Sequence, residues 1–563
     1  MSVERPVDGR AHSILAIASV GVALAAADTY VVVLALTDMM SGVGITIDAL
    51  QKATPIISGF LLGYIAILPL IGRVADLVAR QRVLQLCLAI FVVGSVITAL
   101  ATDLPVLVGG RVIQGVGGGG LVPATLALVA DLWPVERRGT PLGVVGAVQE
   151  LGSVLGPALG AAVLVIAQWR AIFWLNAVAG IMLSAALFVV GRPARGSRPA
   201  HTRSSWVSLA VLGPALAVLF LALWAPDALT TSVALGGPFV PFGSSNAVLF
   251  SPIGVVGLAL VGAGLVLAVR SAWPVLRHAD LPGALLLGGV LGAIILTFST
   301  ADPESEVIGP LGYSLLPAAG LLAILYAVRH RRANEPLIPR GVVRARVPWA
   351  LIVSFLVGAA LVAVIVGIPL LSRLTVSTSE TVAAFELIKF LIAVPVGAVL
   401  GGWSLRWLGD GAVAGAGLLL AGATLGFAST WGRGALDSVG GTVGLLLIGL
   451  GVGLALAPVN NAALADAPVE AHGTASALVV VARMVGMVVG LAVLTAIGLN
   501  RYYATVAALP DRTDVTALVD AAVTQVQTML LGASVAAFLA ALACLALDVR
   551  RRGHAVSRTR SLL

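Results

Sequence analysis

Four ionisable residues stand inside long apolar runs: Asp28, Arg111, Glu150 and Arg483. A charge at that position in a membrane chain is costly, so each is a functional candidate. Asp28 lies in LAAADTYVVVLAL (24–36). Burial penalises a carboxylate and a nearby cation stabilises one, so an acid held between the two can bind and release a proton. Arg111, in GGRVIQGVGGGG (109–120), reads as a cation that tunes Asp28 from a neighbouring helix, or as a plain partner for a backbone carbonyl. Glu150 and Arg483 fall at similar depths of two equivalent helices. They can pair with each other, closing one side of a central cavity, or each within its own half.

Other chemistries find no support in the residues. The two lysines, Lys52 and Lys389, are followed by Ala and Phe, so there is no Gly-Lys-Ser/Thr phosphate loop. GVGGGG (115–120) satisfies the dinucleotide spacing but follows no strand, and reads as small residues for close helix contact. All six histidines (12, 201, 278, 330, 472 and 554) fall in loops or tails. Cys87 and Cys544 sit in apolar runs and form no disulfide framework. No nucleophile–base pair is within reach by sequence. We therefore expect no enzyme, no metal and no cofactor beyond a proton gradient. Glu386 and Lys389, spaced i, i+3, read as a surface pair.

The elements that must position these residues follow from composition. Of 563 residues, 59% are hydrophobic and 11% charged, with a mean hydropathy of +1.05. That leaves too little polar surface to cover a soluble protein and too much apolar surface for a disordered one. The apolar runs are about 20 residues long, the length that crosses a ~30 Å hydrocarbon core as helix. The fold class is therefore an all-α polytopic membrane protein. The spans read as 13–37, 55–74, 83–101, 104–131, 139–166 and 171–191, then 206–224, 249–270, 281–300 and 312–329. The last six are 348–371, 384–403, 411–429, 441–465, 475–499 and 524–548. The count is 16, with 14 as the alternative.

This divides the chain into a six-helix bundle (1–191), a middle block of about four helices (192–347), a second six-helix bundle (348–549) and a basic tail (550–563). The net charge of +8 comes from 34 basic against 26 acidic residues. The basic clusters at 192–203, 329–346 and 550–560 fall on one side of this topology. That bias places both termini in the cytoplasm and makes a nucleic-acid partner unnecessary. Two related bundles suggest a transporter with its site at the midplane. The fifth helix of each bundle carries small residues four apart, GSVLGPALG (152–160) and GMVVGLAVL (486–494). The pattern from Thr513 to Asp548 stays helical for longer than a bilayer requires, and RYYATVAAL (501–509) extends the helix before it. An external helical projection with Pro510 and Asp511 near its tip is expected. The long apolar loop 225–246 is a second external feature.

Several motifs together resemble the major facilitator superfamily. GRVADLVARQR (72–82) resembles the signature loop after the second span, and RVIQG (111–115) the fourth-span arginine motif. GSVLGPALG resembles the fifth-span signature of proton antiporters. WRAIFWLN (169–176) and EPLIP (335–339) are similar to landmarks of the 14-span drug:proton antiporter branch. ADTYVVV (27–33), QELGSVLGP (149–157) and VVVARMVGM (479–487) look most like the mycobacterial drug and triacylglyceride exporters that work with a lipoprotein. The resemblance implies that Asp28 is the proton-coupling acid and that Arg111 serves proton transfer. It also implies that Gly72, Asp76 and Arg80 belong to a cytoplasmic loop that stabilises one conformation, and that Gly152, Gly156, Pro157 and Gly160 form the antiporter motif. Leu77 and Ala79 depart from the loop's usual Arg and Gly. Val33 and Thr37 depart from the first-span pattern, and the middle block has an extra helix pair, assigned to 206–270.

Few charges in the spans favour an apolar or amphiphilic substrate. The expectation is a monomeric proton-coupled exporter of lipid or lipophilic drug in the plasma membrane. An extracytoplasmic lipid-binding lipoprotein is its expected partner. An uncoupled lipid flippase and a non-transporting scaffold are the alternatives.

Overall fold

The computed structural model describes residues 9–45, 54–134, 137–190, 203–231, 236–242, 248–299, 312–377, 380–511 and 514–560. Among them the chain is helical throughout, without strands. The first bundle comprises α1 (Gly9–Gly42), α2 (Thr54–Leu77), α3 (Arg80–Leu100), α4 (Leu104–Leu132), α5 (Gly139–Ile166) and α6 (Arg170–Val190). The middle block holds α7 (Arg203–Trp224), a single turn α8 (Asp227–Thr230), α9 (Pro252–His278), α10 (Leu281–Ser299) and α11 (Gly312–Arg332). The second bundle comprises α12 (Val347–Thr375), α13 (Glu380–Ser404), α14 (Asp410–Ala428), α15 (Val439–Asp466), α16 (His472–Ala507) and α17 (Val515–Arg560). All but α8 are long, which makes sixteen long helices among the described residues. Fourteen carry an apolar window of membrane-crossing length. The other two are α5 and α7, whose described apolar part is Val211–Trp224.

Local signals start several of these helices. Asp103 caps α4 by accepting from the Val106 amide at 3.0 Å, with Pro105 in the first turn. Ser251 and Ser438 cap α9 and α15 in the same way. Ala79 joins α2 to α3 at φ −53°, so that turn does not require the glycine it lacks.

The two bundles pack by one scheme. In the first, α1 lies on α5 and α6, α4 on α2 and α3, and α3 on α6; in the second, α12 lies on α16 and α17, α15 on α13 and α14, and α14 on α17. Across the interface α2 meets α16 and α5 meets α13, again as an equivalent pair. The two six-helix blocks therefore make equivalent sets of helix contacts. In the middle block α7 pairs with α9 and touches α3, while α10 pairs with α11 and lies on α2. The segment after α9 and the segment after α11 meet: Asp280 binds Arg329 at 2.6 Å and the Leu337 amide at 3.0 Å. Nearby, His278 Nδ1 lies 2.7 Å from Glu335.

The last two helices are long. α16 has 36 residues and α17 has 46, or about 54 Å and 69 Å at 1.5 Å per residue. Their adjoining ends form a projection that rests on the α14–α15 loop. Arg433 donates to Asp520 at 2.9 Å and to the Thr516 carbonyl at 2.8 Å, and Gln527 donates to the Trp431 carbonyl at 2.8 Å. The helical backbone of α17 runs on through the basic segment to Arg560. The segment 192–202, much of the 225–246 loop, and the side chains of Val33, Thr37 and Pro157 lie outside the described residues.

Candidate functional site

Asp28 is 1% exposed, at the centre of a closed polar cluster. Its partners come from two neighbouring helices, α4 and α6. Arg111 Nη1 lies 2.5 Å from Asp28 Oδ2, and Gln114 Nε2 donates to Oδ1 at 2.9 Å. Asn176, on α6, donates to the same Oδ1 at 2.5 Å. Arg111 also donates to Gln114 Oε1 at 2.7 Å and to the Ile56 carbonyl at 3.3 Å. Gln114 donates onward to Ser95 Oγ at 3.0 Å. The Phe60 ring faces the guanidinium at 4.5 Å, a cation–π contact in a dry site. Arg111 thus faces Asp28 and also binds a backbone carbonyl.

Small residues make that placement possible. A Cβ added at Gly117 would meet Phe91 and Cys87, and one at Gly119 would meet Tyr64. Gly115 likewise faces Phe60 and Tyr64. The glycine run of α4 is therefore a packing surface that draws α2 and α3 close. Gly152, Gly156 and Gly160 form a second such surface. They face Ala23, Ala27 and Val31, one turn apart along α1 and on either side of Asp28.

Glu150 and Arg483 come together across the two bundles, with Arg483 Nη1 donating to Glu150 Oε1 at 3.4 Å. They are 6% and 8% exposed. A small cavity beside them is lined by Thr29, Tyr64, Gln149, Ser153 and Met487.

One end of the molecule carries the start of α1, the α2–α3 and α4–α5 turns, the start of α12 and the end of α17; we call it the basic face. There Asp76 accepts from the Gly473 amide at 2.6 Å and from the Thr474 amide and hydroxyl at 3.0 and 2.6 Å. The carboxylate of one bundle thus satisfies the first amides of α16 in the other, where the helix dipole favours an anion. Gly72 permits the approach, since a Cβ there would stand 2.5 Å from Ala477. Arg80 lies 3.7 Å from Asp76 and 3.2 Å from Asp131. The equivalent contact, α5 on α13, is made by glycine: a Cβ at Gly143 would stand 2.6 Å from the Ala398 carbonyl, and Gly139 faces Gly402. These two contacts join the bundles at the basic face.

Three groups have roles that the charged-residue reading did not assign. Gln114 and Asn176 complete the Asp28 cluster; both stand in the quoted motifs RVIQG and WRAIFWLN. Arg346 ties α12 to α14 and α15, binding Asp410 at 2.7 Å and Asp466 at 2.8 Å. Burial works against the Arg346 charge, but the Asp466 and Asp410 carboxylates outweigh it and hold its pKa above the usual arginine value. Asp410 therefore belongs to this cluster. Glu386 is 7% exposed and accepts from Lys389 with both its oxygens, at 2.7 and 2.8 Å, while Lys389 keeps 29% of its side chain exposed, so the carboxylate is buried and the ammonium reaches the surface.

The family model of the Major Facilitator Superfamily matches residues 18–309. The chain belongs to that superfamily. Among curated relatives, a triacylglyceride transporter of Mycolicibacterium hassiacum is 37% identical over 503 residues, covering 87% of this chain and 80% of the relative. One from Mycobacteroides abscessus is 36% identical, covering 86% and 82%, and one from Mycobacterium tuberculosis is 36% identical, covering 87% and 83%. Among solved superfamily structures, the proton:xylose symporter XylE aligns with a TM-score of 0.55 at 13% identity, covering 94% of each chain. The human organic anion transporter MFSD10 aligns with a TM-score of 0.55 at 15% identity, covering 94% of this chain and 99% of that one. The all-helical superfamily fold and a multi-pass membrane transporter follow from these matches.

Proposed function

We propose that this transporter is a proton-coupled exporter of lipophilic substrates, with triacylglyceride the first candidate and lipophilic drugs the second. The observation that carries the reading is the arrangement around Asp28. A fully buried carboxylate is balanced by Arg111, Gln114 and Asn176, on a helix packed against the one that bears Glu150. Protonation of Asp28 removes the anion opposite Arg111 and changes the charge balance of the first bundle. The Gly152–Gly160 surface couples α1 to α5, so a shift of α1 moves Glu150 against Arg483. That pair joins the halves at the midplane, where a gate between two states belongs. Removing one partner of a buried ion pair typically costs ~3–5 kcal/mol, enough to bias a two-state equilibrium.

The substrate class rests on two supports. The described spans hold few fixed charges beyond those already paired, which suits an apolar cargo, and the mycobacterial relatives bear the name triacylglyceride transporter. With its basic face cytoplasmic, as the positive-inside bias implies, the α16–α17 projection lies outside, and an extracytoplasmic lipid-binding lipoprotein receives cargo there. The monomer is the working unit.

The test is a proteoliposome assay with an imposed pH gradient, comparing a triacylglyceride and a lipophilic dye. Gradient-driven export in the wild type, lost in Asp28→Asn, is the expected result. Undiminished transport by Asp28→Asn means an uncoupled facilitator. Silent Asp28 and Glu150 variants, with function lost on trimming 500–525, mean a scaffold.

A further inference from the structure

The cavity beside the Glu150–Arg483 pair holds polar groups that the pair does not use. It measures about 60 Å³ and is walled by α1, α2 and α5 of the first bundle and by α12 and α16 of the second. Leu61, Leu361, Met484 and Met487 make much of its surface apolar. The polar groups in the wall divide into two sets. In the first, Thr29 and Ser153 turn back on their own helices, donating to the Ala25 carbonyl at 3.1 Å and to the Gln149 carbonyl at 3.3 Å, and Glu150 accepts from Arg483. The second set is Tyr64 and Gln149. They are 6% and 8% exposed, and among the described residues neither the Tyr64 hydroxyl nor the Gln149 side-chain amide makes a hydrogen bond. These atoms are not sealed in the interior as Ser19 Oγ is, so they are open to the space they line. Gln149 and Arg483 also line a second space, of about 20 Å³. The charges that bear on the Tyr64 hydroxyl are those of Arg483 and Glu150, in the same wall.

Buried polar groups are nearly always satisfied, so two unpartnered ones in a cavity wall mark a place for a ligand. The wall also says which kind. Glu150 and Arg483 cancel, so the ligand is neutral. The carboxylate is already taken by Arg483, while the Tyr64 O–H and the Gln149 NH₂ stay available as donors. A neutral group that accepts hydrogen bonds and donates none meets that arrangement, and an ester carbonyl is such a group. Tyr64 is held in place for it. A Cβ at Gly119 would run into the Tyr64 carbonyl, so α4 lies close against α2 here, and the Tyr64 ring stands 5.9 Å from the Phe60 ring. Phe60 is also the ring that faces Arg111. One stretch of α2 thus touches both the Asp28 cluster and this cavity.

We propose that Tyr64 and Gln149 are specificity-determining residues that receive an ester carbonyl of an acylglycerol cargo. The space takes a small polar group or a few waters and not a whole lipid. It therefore anchors the carbonyl, and the acyl chains extend past Met484 and Met487, whose flexible side chains adapt to an apolar partner. This rests on the lipid-export reading above and narrows it: a lipophilic compound without a carbonyl has no use for the two donors.

The experiment uses the full-length protein in detergent. Native mass spectrometry compares binding of trioctanoylglycerol with that of trioctyl glyceryl ether, which keeps the three chains and has no carbonyl. The wild type is expected to bind the ester at least about tenfold more tightly. Tyr64→Phe, which removes one oxygen and keeps the ring against Phe60, is expected to lower that preference about threefold, the loss of one modest hydrogen bond. Tyr64→Phe/Gln149→Met is expected to abolish it. Thr424→Val, which removes a buried hydroxyl of α14 outside the cavity, is expected to keep it. Each variant is first matched to the wild type in thermal unfolding without ligand, and if the double variant unfolds early the Tyr64→Phe ratio decides. The inference is overturned if the wild type binds ester and ether equally, if Tyr64→Phe keeps the full preference, or if Thr424→Val loses it equally. Binding needs no pH gradient, so an ester preference without gradient-driven export sinks only the proton coupling. Gradient-driven export without an ester preference sinks only this inference.

Discussion

Asp28→Asn keeps the size of the side chain but removes the anion opposite Arg111. The guanidinium is then buried without a counter-ion, which typically costs ~3–5 kcal/mol. Asn keeps an oxygen for Gln114 or Asn176, so the variant is expected to fold with a lowered melting temperature and to lose gradient-driven transport; scanning calorimetry and the pH-jump assay read the two effects separately. Gln114→Leu tests the uncharged side of the cluster. It removes the Asp28 and Ser95 hydrogen bonds and leaves Arg111 one acceptor short, a loss of ~1–3 kcal/mol per unsatisfied group. Unfolding of that variant at wild-type temperature would mean that the Gln114 contacts carry no weight. The contrast between Asp28 and Gln114 also shows what the sequence makes legible. A carboxylate in an apolar run is conspicuous because burying it is expensive; Gln114 and Asn176 are cheaper to bury and pass unmarked among apolar neighbours. Only their distances to Asp28, 2.9 and 2.5 Å, assign them to it.

At the scale of elements, the glycine surfaces decide where Asp28 and Glu150 stand. Gly156 faces Ala27, the residue before Asp28, and a side chain there must push α1 off α5. Gly156→Val is expected to cut transport by tenfold or more while Gly109→Val, whose Cβ would meet nothing within 4 Å, has little effect; a transport assay on matched expression levels compares them. The latch at the basic face has its own test. Asp76→Asn weakens three hydrogen bonds to the start of α16, and bonds to a charged group are worth ~1.5–3 kcal/mol. Spin labels at Leu77 and Val469, both exposed, are expected to report a broader and longer distance distribution in the variant. Cys87 and Cys544 are buried and do not compete for label. Helix positions and the long α16–α17 pair were readable from run length and from the absence of breakers. The Arg346 cluster was not, because Asp410 and Asp466 stand 64 and 120 residues from Arg346 and no local spacing connects them. Glu386 was legible only in part: its i, i+3 pairing with Lys389 is local, but the burial of its carboxylate depends on how the helices pack.

For the whole molecule, the equivalent packing of the two bundles separates contacts that the proposed cycle must break from contacts that it leaves intact. Asp76 with Gly473, Gly139 with Gly402, and Glu150 with Arg483 all cross between bundles. In the proposed alternating-access cycle, rocking the halves has to open the first two, so a tether across them is expected to stop transport. Arg433 and Asp520 lie in one bundle, and their 2.9 Å pair travels with it as a rigid body. They are 47% and 61% exposed, so their ion pair itself is worth at most about 1 kcal/mol. Two cross-linked double variants follow. Leu77→Cys/Val469→Cys, joined by a short bis-maleimide, is expected to lose transport and to recover it when the linker is made cleavable and cut. Arg433→Cys/Asp520→Cys, joined in the same way, is expected to transport at close to the uncross-linked rate. If the second tether also stops transport, then the α16–α17 projection moves relative to α14 and α15 during the cycle, and rigid rocking of two bundles is the wrong description. If neither does, the basic face need not open, and cargo enters from the bilayer without alternating access.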